Sequence, residues 1–282
     1  MVITVTGIGL IGGSMALALK EKGFAMRVIG VDANAEHCKQ ALELGLVDEI
    51  ATLEAAIPQS DLIILAVPVG VCLQLLPTVM GLITSKQVVM DVGSTKAGIA
   101  EVVADAALRG RMVPTHPMWG TEYSGPAAAV KEAFVKKATV ICDKEKCDAD
   151  ALALVEKVYG VLGMHIVYMN AVAHDVHVAY ISHISHITSF ALANTVLEKE
   201  KEEDAIFELA SGGFESTVRL AKSNPAMWVP IFRQNRDNVL DVLNEHIAQL
   251  RKFKACLEKE NYEYLQELIE NANKIRKVLN RG

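Results

Sequence analysis

Short, compact blocks rich in Val, Ile, Leu or Met punctuate the first part of the chain: Val2–Val5, Arg27–Val31, Leu62–Ala66, Val88–Asp91 and Met112–Thr115. A strand with one wet face alternates apolar with polar positions. These blocks do not, so they read as strands covered on both faces. Between them lie stretches with helical spacing, Gly13–Lys22, Ala35–Leu44, Cys72–Gly81 and Lys96–Leu108. Regular strand–helix alternation predicts a parallel sheet with helices on both sides. Ala138–Cys142 and Ile166–Tyr168 flank a further helical stretch, Asp148–Leu162, and are expected to close the sheet.

After Asn170 the strand signals stop. Ala171–Leu197 reads as a long helix, and Glu198–Asp204 as its charged, solvated end or a linker. Ala205–Ala210, a break at Ser211-Gly212-Gly213, the segment Phe214–Ser223 and a helix start at Pro225 follow. From Asn235 to Val278 the pattern is of long helices, with Val239, Leu243, Leu250, Phe253 and Leu257 on one stripe. Such a stripe serves either a dimer interface or packing within one subunit. The expected architecture is an α/β Rossmann domain over 1–169, doubly wound and mainly parallel, followed by an all-helical substrate and dimerisation domain over 170–282.

Composition narrows the function classes. The chain has 282 residues, of which 51% are hydrophobic, with a net charge of −6. No clustered basic run marks a nucleic-acid partner. Five scattered cysteines are expected as free thiols in a reducing compartment. The first apolar run leads straight into a glycine turn without a signal-peptide pattern, and no stretch suits a bilayer span. A cytoplasmic enzyme is expected.

Gly7-Ile8-Gly9-Leu10-Ile11-Gly12 is a G-x-G-x-x-G turn between a strand and a helix. In that setting the first glycine permits the tight turn, the second admits a pyrophosphate and the third lets helix and strand pack. Asp32 ends the next strand, where a carboxylate accepts from ribose hydroxyls and repels a 2′-phosphate, so NAD is expected over NADP. The plainer alternative makes Asp32 a helix cap. Val67, Pro68 and Gly93-Ser94-Thr95 follow later strands at the same carboxyl rim. Val67 and Pro68 are read as cofactor contacts. Ser94 reads locally as the N-cap of a helix near Lys96. His116, held by Pro117 after Met112–Thr115, is a candidate acid or base.

From Asp91-Val92-Gly93-Ser94-Thr95-Lys96 through His116-Pro117-Met118-x-Gly120-Thr121-Glu122-x-Ser124-Gly125, the chain resembles the prephenate and arogenate dehydrogenases of tyrosine biosynthesis. His174-Asp175, Ser182-His183-Ile184-Ser185-His186, Gly212-Gly213-Phe214, Arg219-Leu220-Ala221 and Pro225-x-Met227-Trp228 extend the likeness in order.

The resemblance implies a Rossmann domain with a helical dimerisation domain, NAD as cofactor, and a homodimer. It implies that His116 bonds the ring hydroxyl with Ser94 as its partner, and that Arg219 binds a substrate carboxylate. His186 is implied beside the substrate side chain, Glu122 as an acidic gate near the arginine, and Gly212 in the substrate site. Trp119 stands where many members have a small residue, and Ser216 where some have an aspartate. The implied reaction is oxidative decarboxylation of prephenate, favoured by His186, with arogenate as the close alternative. Two other readings are a β-hydroxyacid or imine dehydrogenase, for which Lys222 is the nearest acid/base, and a non-catalytic NAD sensor. Of the four histidines from His174 to His186, His174, His177 and His183 read as core or solvated side chains, and no metal is expected.

Overall fold

The computed structural model describes residues 1–201 and 207–279. The strands are β1 (Val2–Thr6), β2 (Arg27–Val31), β3 (Glu49–Ile50), β4 (Leu62–Leu65), β5 (Val88–Asp91), β6 (Met112–Pro117), β7 (Ala138–Cys142) and β8 (His165–Met169). They form one sheet in the order β3-β2-β1-β4-β5-β6-β7-β8. Every neighbouring pair is parallel except β6 and β7.

The first helices are α1 (Leu10–Glu21), α2 (Ala35–Glu43), α3 (Leu53–Ala56), α4 (Val69–Leu82), α5 (Ala97–Val102) and α6 (Ala149–Leu162). They cover both faces of the sheet, and β4 shows why its residues are all apolar. Leu62 and Ile64 face one core with Met15, Leu19 and Val155, whereas Ile63 and Leu65 face the other with Leu76, Val79 and Ile99. Successive strand residues point to opposite sides, and each of these four is fully buried, worth roughly 1.5–3 kcal/mol apiece.

The later helices are α7 (Ala171–Val178), α8 (Ile184–Glu200), α9 (Gly212–Val218), α10 (Pro225–Gln234), α11 (Arg236–Glu258), α12 (Tyr262–Asn273) and α13 (Arg276–Leu279). The long helix expected over Ala171–Leu197 is interrupted. A five-residue π-helical turn, Ala179–His183, joins α7 to α8. The helix expected over Lys96–Leu108 stops at Val102, and Phe214–Ser223 divides into the end of α9 and a 3₁₀ turn, Arg219–Lys222. Gly212 and Gly213 lie inside α9, with Ser211 at its N-cap, so the break falls one residue earlier than expected. Residues 202–204 of the charged run and 205–206 of the segment after it lie outside the described residues.

The chain divides into two compact units, Met1–Arg236 and the remainder from Asp237. The expected boundary after residue 169 falls inside the first, because α7 returns to the sheet. Ala171 N donates to Asp143 Oδ1 at 2.8 Å, and the Ala171 side chain packs with Val140 and Cys142. In the second unit Val239, Val242 and Cys256 are buried, while Leu250, Leu257 and Ile269 remain exposed. No helix among the described residues is long and apolar enough to cross a membrane.

Candidate active site

β1 runs into the glycine turn, and α1 begins at Leu10. Gly7 has a φ of +90°, and a Cβ there would stand 2.6 Å from Ala66 O, just past β4. A Cβ at Gly12 would stand 2.1 Å from Gly7 O. Only glycine lets the turn and helix pack so closely. Nothing lies within 4 Å of the Cβ position of Gly9, and no side chain caps α1 there. An open helix start with uncapped N–H groups is the cradle that a pyrophosphate requires. It lies where β1 meets β4, at the switch in strand order.

Ile8 within this turn is fully buried, and Leu10 and Ile11 are half-buried. Asp32 Oδ2 accepts from Ile8 N and Oδ1 from Asn34 N, both at 2.9 Å. The cap of α2 is Asn34, whose side chain accepts from Glu36 N and His37 N. Asp32 is therefore held against the glycine turn rather than spent as a helix cap. Half-buried Val67 and exposed Pro68 lead from β4 into α4 on the same rim.

At the end of β6, His116 Nδ1 lies 2.9 Å from His174 Nε2 on α7. His174 Nδ1 lies 2.7 Å from Asp175 Oδ1. The same carboxylate accepts from Lys96 N at 2.7 Å and Ala97 N at 2.9 Å, so it caps α5 from a distant helix. Ser94, expected as that cap, does not fill the role; it stands half-buried in the turn before α5. Lys96 Nζ, fully buried, pairs with buried Asp91. Asp91 also accepts from Gly93 N at 2.9 Å and Thr115 N at 3.2 Å. The pair thus ties the Ser94 turn to the strand carrying His116.

Burial, followed by the charges of His174 and Lys96, pushes the His116 ring well below its ordinary pKa. The residue as a whole is nonetheless only half-buried. Burial likewise lowers His174, against the pull of Asp175. His183 is lowered to about 4, chiefly by burial. Asn235 Nδ2 donates to Asp175 O at 2.7 Å and lies 3.2 Å from His183 Nδ1.

A second cluster forms around α8 and the Arg219 turn. His186 Nδ1 donates to Ser182 O at 3.0 Å, and its ring stacks on Trp228 with centroids 3.5 Å apart. Burial lowers its pKa, and the Arg219 charge adds to the effect. Arg219 NH1 lies 3.6 Å from Glu122 Oε2. Ser189 Oγ donates to Thr217 O at 3.1 Å, fastening α8 to the segment before Arg219. Trp228 packs against Val69, Ile231, Phe190 and Phe232, and its indole N–H is buried without a partner among the described residues.

The structure thus brings together His116 with His174 and Asp175, and His186 with Arg219 and Glu122. Gly212 begins α9 at an exposed position, and among the described residues nothing lies within 4 Å of where a Cβ on it would stand. Trp119 leans edge-on against Phe134 at 5.4 Å, so its ring joins the main core. His174 and His183, read as core or solvated side chains, are core residues, and His174 also bonds the candidate base. His177 is exposed and turned back onto Ala173 O. Among the described residues no group of three or more His, Cys, Asp or Glu side chains gathers as a metal site would require.

A glycine cradle at the switch point, an acid beside it and a half-buried imidazole at the end of β6 define a dinucleotide-binding dehydrogenase. Two family profiles match in succession: the prephenate dehydrogenase nucleotide-binding domain over residues 15–168 and the prephenate dehydrogenase dimerization domain over residues 170–271. The chain is 33% identical to a prephenate dehydrogenase of Bacillus subtilis over 278 residues, covering 97% of this chain and 75% of that one. It is 30% identical to a cyclohexadienyl dehydrogenase of Zymomonas mobilis over 280 residues, covering 98% and 95%. A crystal structure of prephenate dehydrogenase from A. aeolicus in complex with hydroxyphenyl propionate and NAD+ superposes with a TM-score of 0.90 at 28% identity, covering 99% and 98%. The chain belongs to the prephenate dehydrogenase family.

Proposed function

We propose that the protein catalyses the NAD-dependent oxidative decarboxylation of prephenate to 4-hydroxyphenylpyruvate. The observation that carries this reading is His116 at the end of β6. Burial holds its pKa well below the ordinary value, which favours the neutral ring; its Nδ1 is engaged by His174, and that leaves Nε2 to take a proton. NAD, when bound, would supply the acceptor for the hydride of the hydroxyl-bearing ring carbon. Gly7, Gly9 and Gly12 with the start of α1 would hold its pyrophosphate, and Asp32 its ribose. His116 Nε2 takes the hydroxyl proton, and Ser94 steadies the same oxygen. The carboxylate bond to the ring then breaks, its electron pair makes the ring aromatic, and the phenolate oxygen recovers the proton from His116. Aromatisation supplies the driving force, so the residues chiefly position the substrate and move one proton.

Arg219 offers a planar fork to the side-chain carboxylate, displacing Glu122. Trp228 and His186 line the side-chain end. Arogenate is the second reading, and one observation favours it. With Nδ1 committed to Ser182 O, a neutral His186 has only an acceptor left at Nε2. An acceptor suits an ammonium better than a keto oxygen.

We also read the enzyme as a cytoplasmic homodimer. The match to a dimerization domain and the exposed Leu250, Leu257 and Ile269 support the assembly. The deciding experiment follows nicotinamide reduction with prephenate and arogenate, each with NAD and NADP. Prephenate with NAD should give the highest kcat/KM. No reduction with either substrate would overturn the reading, and a clear preference for arogenate would replace it with the second.

A further inference from the structure

The hydrogen bonds around His116 form a chain whose proton order is set from its far end. Asp175 is buried and takes backbone N–H groups on both oxygens, Lys96 N on Oδ1 and Ala97 N on Oδ2. A carboxylate so placed can only accept from His174, so His174 Nδ1 carries a proton. Burial keeps His174 neutral, which leaves its Nε2 as a bare acceptor. His116 Nδ1, 2.9 Å away, must then donate. The remaining nitrogen of neutral His116, Nε2, has no proton. An imidazole left to itself in water prefers the opposite tautomer, with the proton on Nε2, and in that form His116 could accept nothing there. The hydrogen bond made by one ring nitrogen decides the state of the other.

We propose that His174 and Asp175 are positioning residues that hold His116 in the Nδ1–H tautomer, so that Nε2 is ready to receive the substrate proton. The proposal rests on the reading of His116 as the base. Asn235 steadies the pair by donating to Asp175 O. When His116 takes a proton at Nε2, its Nδ1–H bond to His174 strengthens. His174 in turn leans its own proton toward Asp175, so a buried carboxylate answers the new charge two rings away.

The test reads the tautomer directly. Protein labelled with 15N in its histidine rings, assigned with His116→Ala, reports which nitrogen of His116 carries the proton, without substrate. The expected result is a protonated Nδ1 and a bare Nε2. In His174→Phe the proton should move to Nε2, and kcat should fall about 10²-fold, within the range that positioned proton transfer contributes. KM and NADH affinity should stay near wild type. His174→Gln keeps a carbonyl acceptor but loses the link to Asp175. It should retain the wild-type tautomer and recover part of kcat.

A wild-type His116 protonated at Nε2 overturns the proposal, as does a tautomer unchanged in His174→Phe. If His174→Phe does not fold, the wild-type and His174→Gln spectra decide alone. Should the enzyme act on neither prephenate nor arogenate, the tautomer result stands independently. The failure of the functional reading and of this proposal are therefore distinguishable.

Discussion

Arg219 faces two carboxylates, one in the protein and one expected from the substrate, and replacing it separates their contributions. Its guanidinium lies 3.6 Å from Glu122, with side-chain exposures of 53% and 21%. At that distance Coulomb attraction is ~1 kcal/mol in bulk water and ~5 kcal/mol at an effective dielectric constant of 20. Arg219 is more than half exposed, which puts the pair at the low end, where exposed ion pairs contribute about 0–1 kcal/mol to stability. Arg219→Ala should therefore change Tm little. A substrate carboxylate seated in the guanidinium fork is desolvated at the same time, and losing such a partner costs about 2–5 kcal/mol. The exposure of Arg219 again selects the lower part, so kcat/KM should fall by roughly 30- to 150-fold, mostly through KM. Arg219→Lys should recover only part, since an ammonium lacks the two-pronged contact. Steady-state kinetics with prephenate, NADH titration and thermal unfolding on the same preparations give the needed comparison. If Arg219→Ala loses several kcal/mol of stability while its folded fraction keeps the wild-type KM, the arginine is structural and the substrate carboxylate is held elsewhere.

Four further outcomes follow. His116→Ala should lower kcat by ~10²–10⁴-fold with NADH affinity unchanged; the wild-type rate should hold through neutral pH and fall only below the ordinary histidine pKa of ~6.5, because the base acts neutral and its pKa is depressed. An acid limb above that value would contradict this assignment. His116, His174, His183 and His186 all have depressed pKa values in the fold, so the unfolded chain binds the extra protons as the pH drops; urea unfolding should show full stability above about pH 6.5 and a loss at about pH 5 of ~2 kcal/mol from His183 alone. Asp32→Ala should weaken NAD binding and raise the relative affinity for NADP, and a wild-type preference for NADP would count against its role. Sedimentation at micromolar concentration should show a dimer; a monomer there would refute the assembly.

Much of the sheet is readable from the chain because its strands are buried on both faces. β4 is a continuous apolar run, and β5 is one up to its terminal Asp91. β3 and α3 escaped notice, being two and four residues long with little pattern. The π-helical turn is invisible for a different reason, since its one extra residue shifts the helical pattern at a single point, which two short flanking runs do not reveal. The glycine turn is legible because its chemistry is local. The partner of His116 is not, because it comes from 58 positions away, where the end of β6 meets α7. Ser94 has the local signature of a helix cap, yet Asp175 supplies that cap from α7. The pairing of Lys96 with Asp91 likewise depends on the fold, which buries both side chains.

The turn at Ala179–His183 has a consequence for how this protein can change over generations. A π-helical turn holds one residue more than the α-helical turn it replaces. The wider winding absorbs that residue without turning α8. Wound as a plain α-helix with the residue kept, the same segment would carry about 100° more rotation, and everything on α8 would swing by that angle. His186 would leave the face of Trp228, and Ser189 would leave Thr217 O. Ile181, exposed on the outside of the turn, can be exchanged for other residues with little effect inside. The segment is thus open to drift in composition as long as any change in its length is matched by a change in its winding.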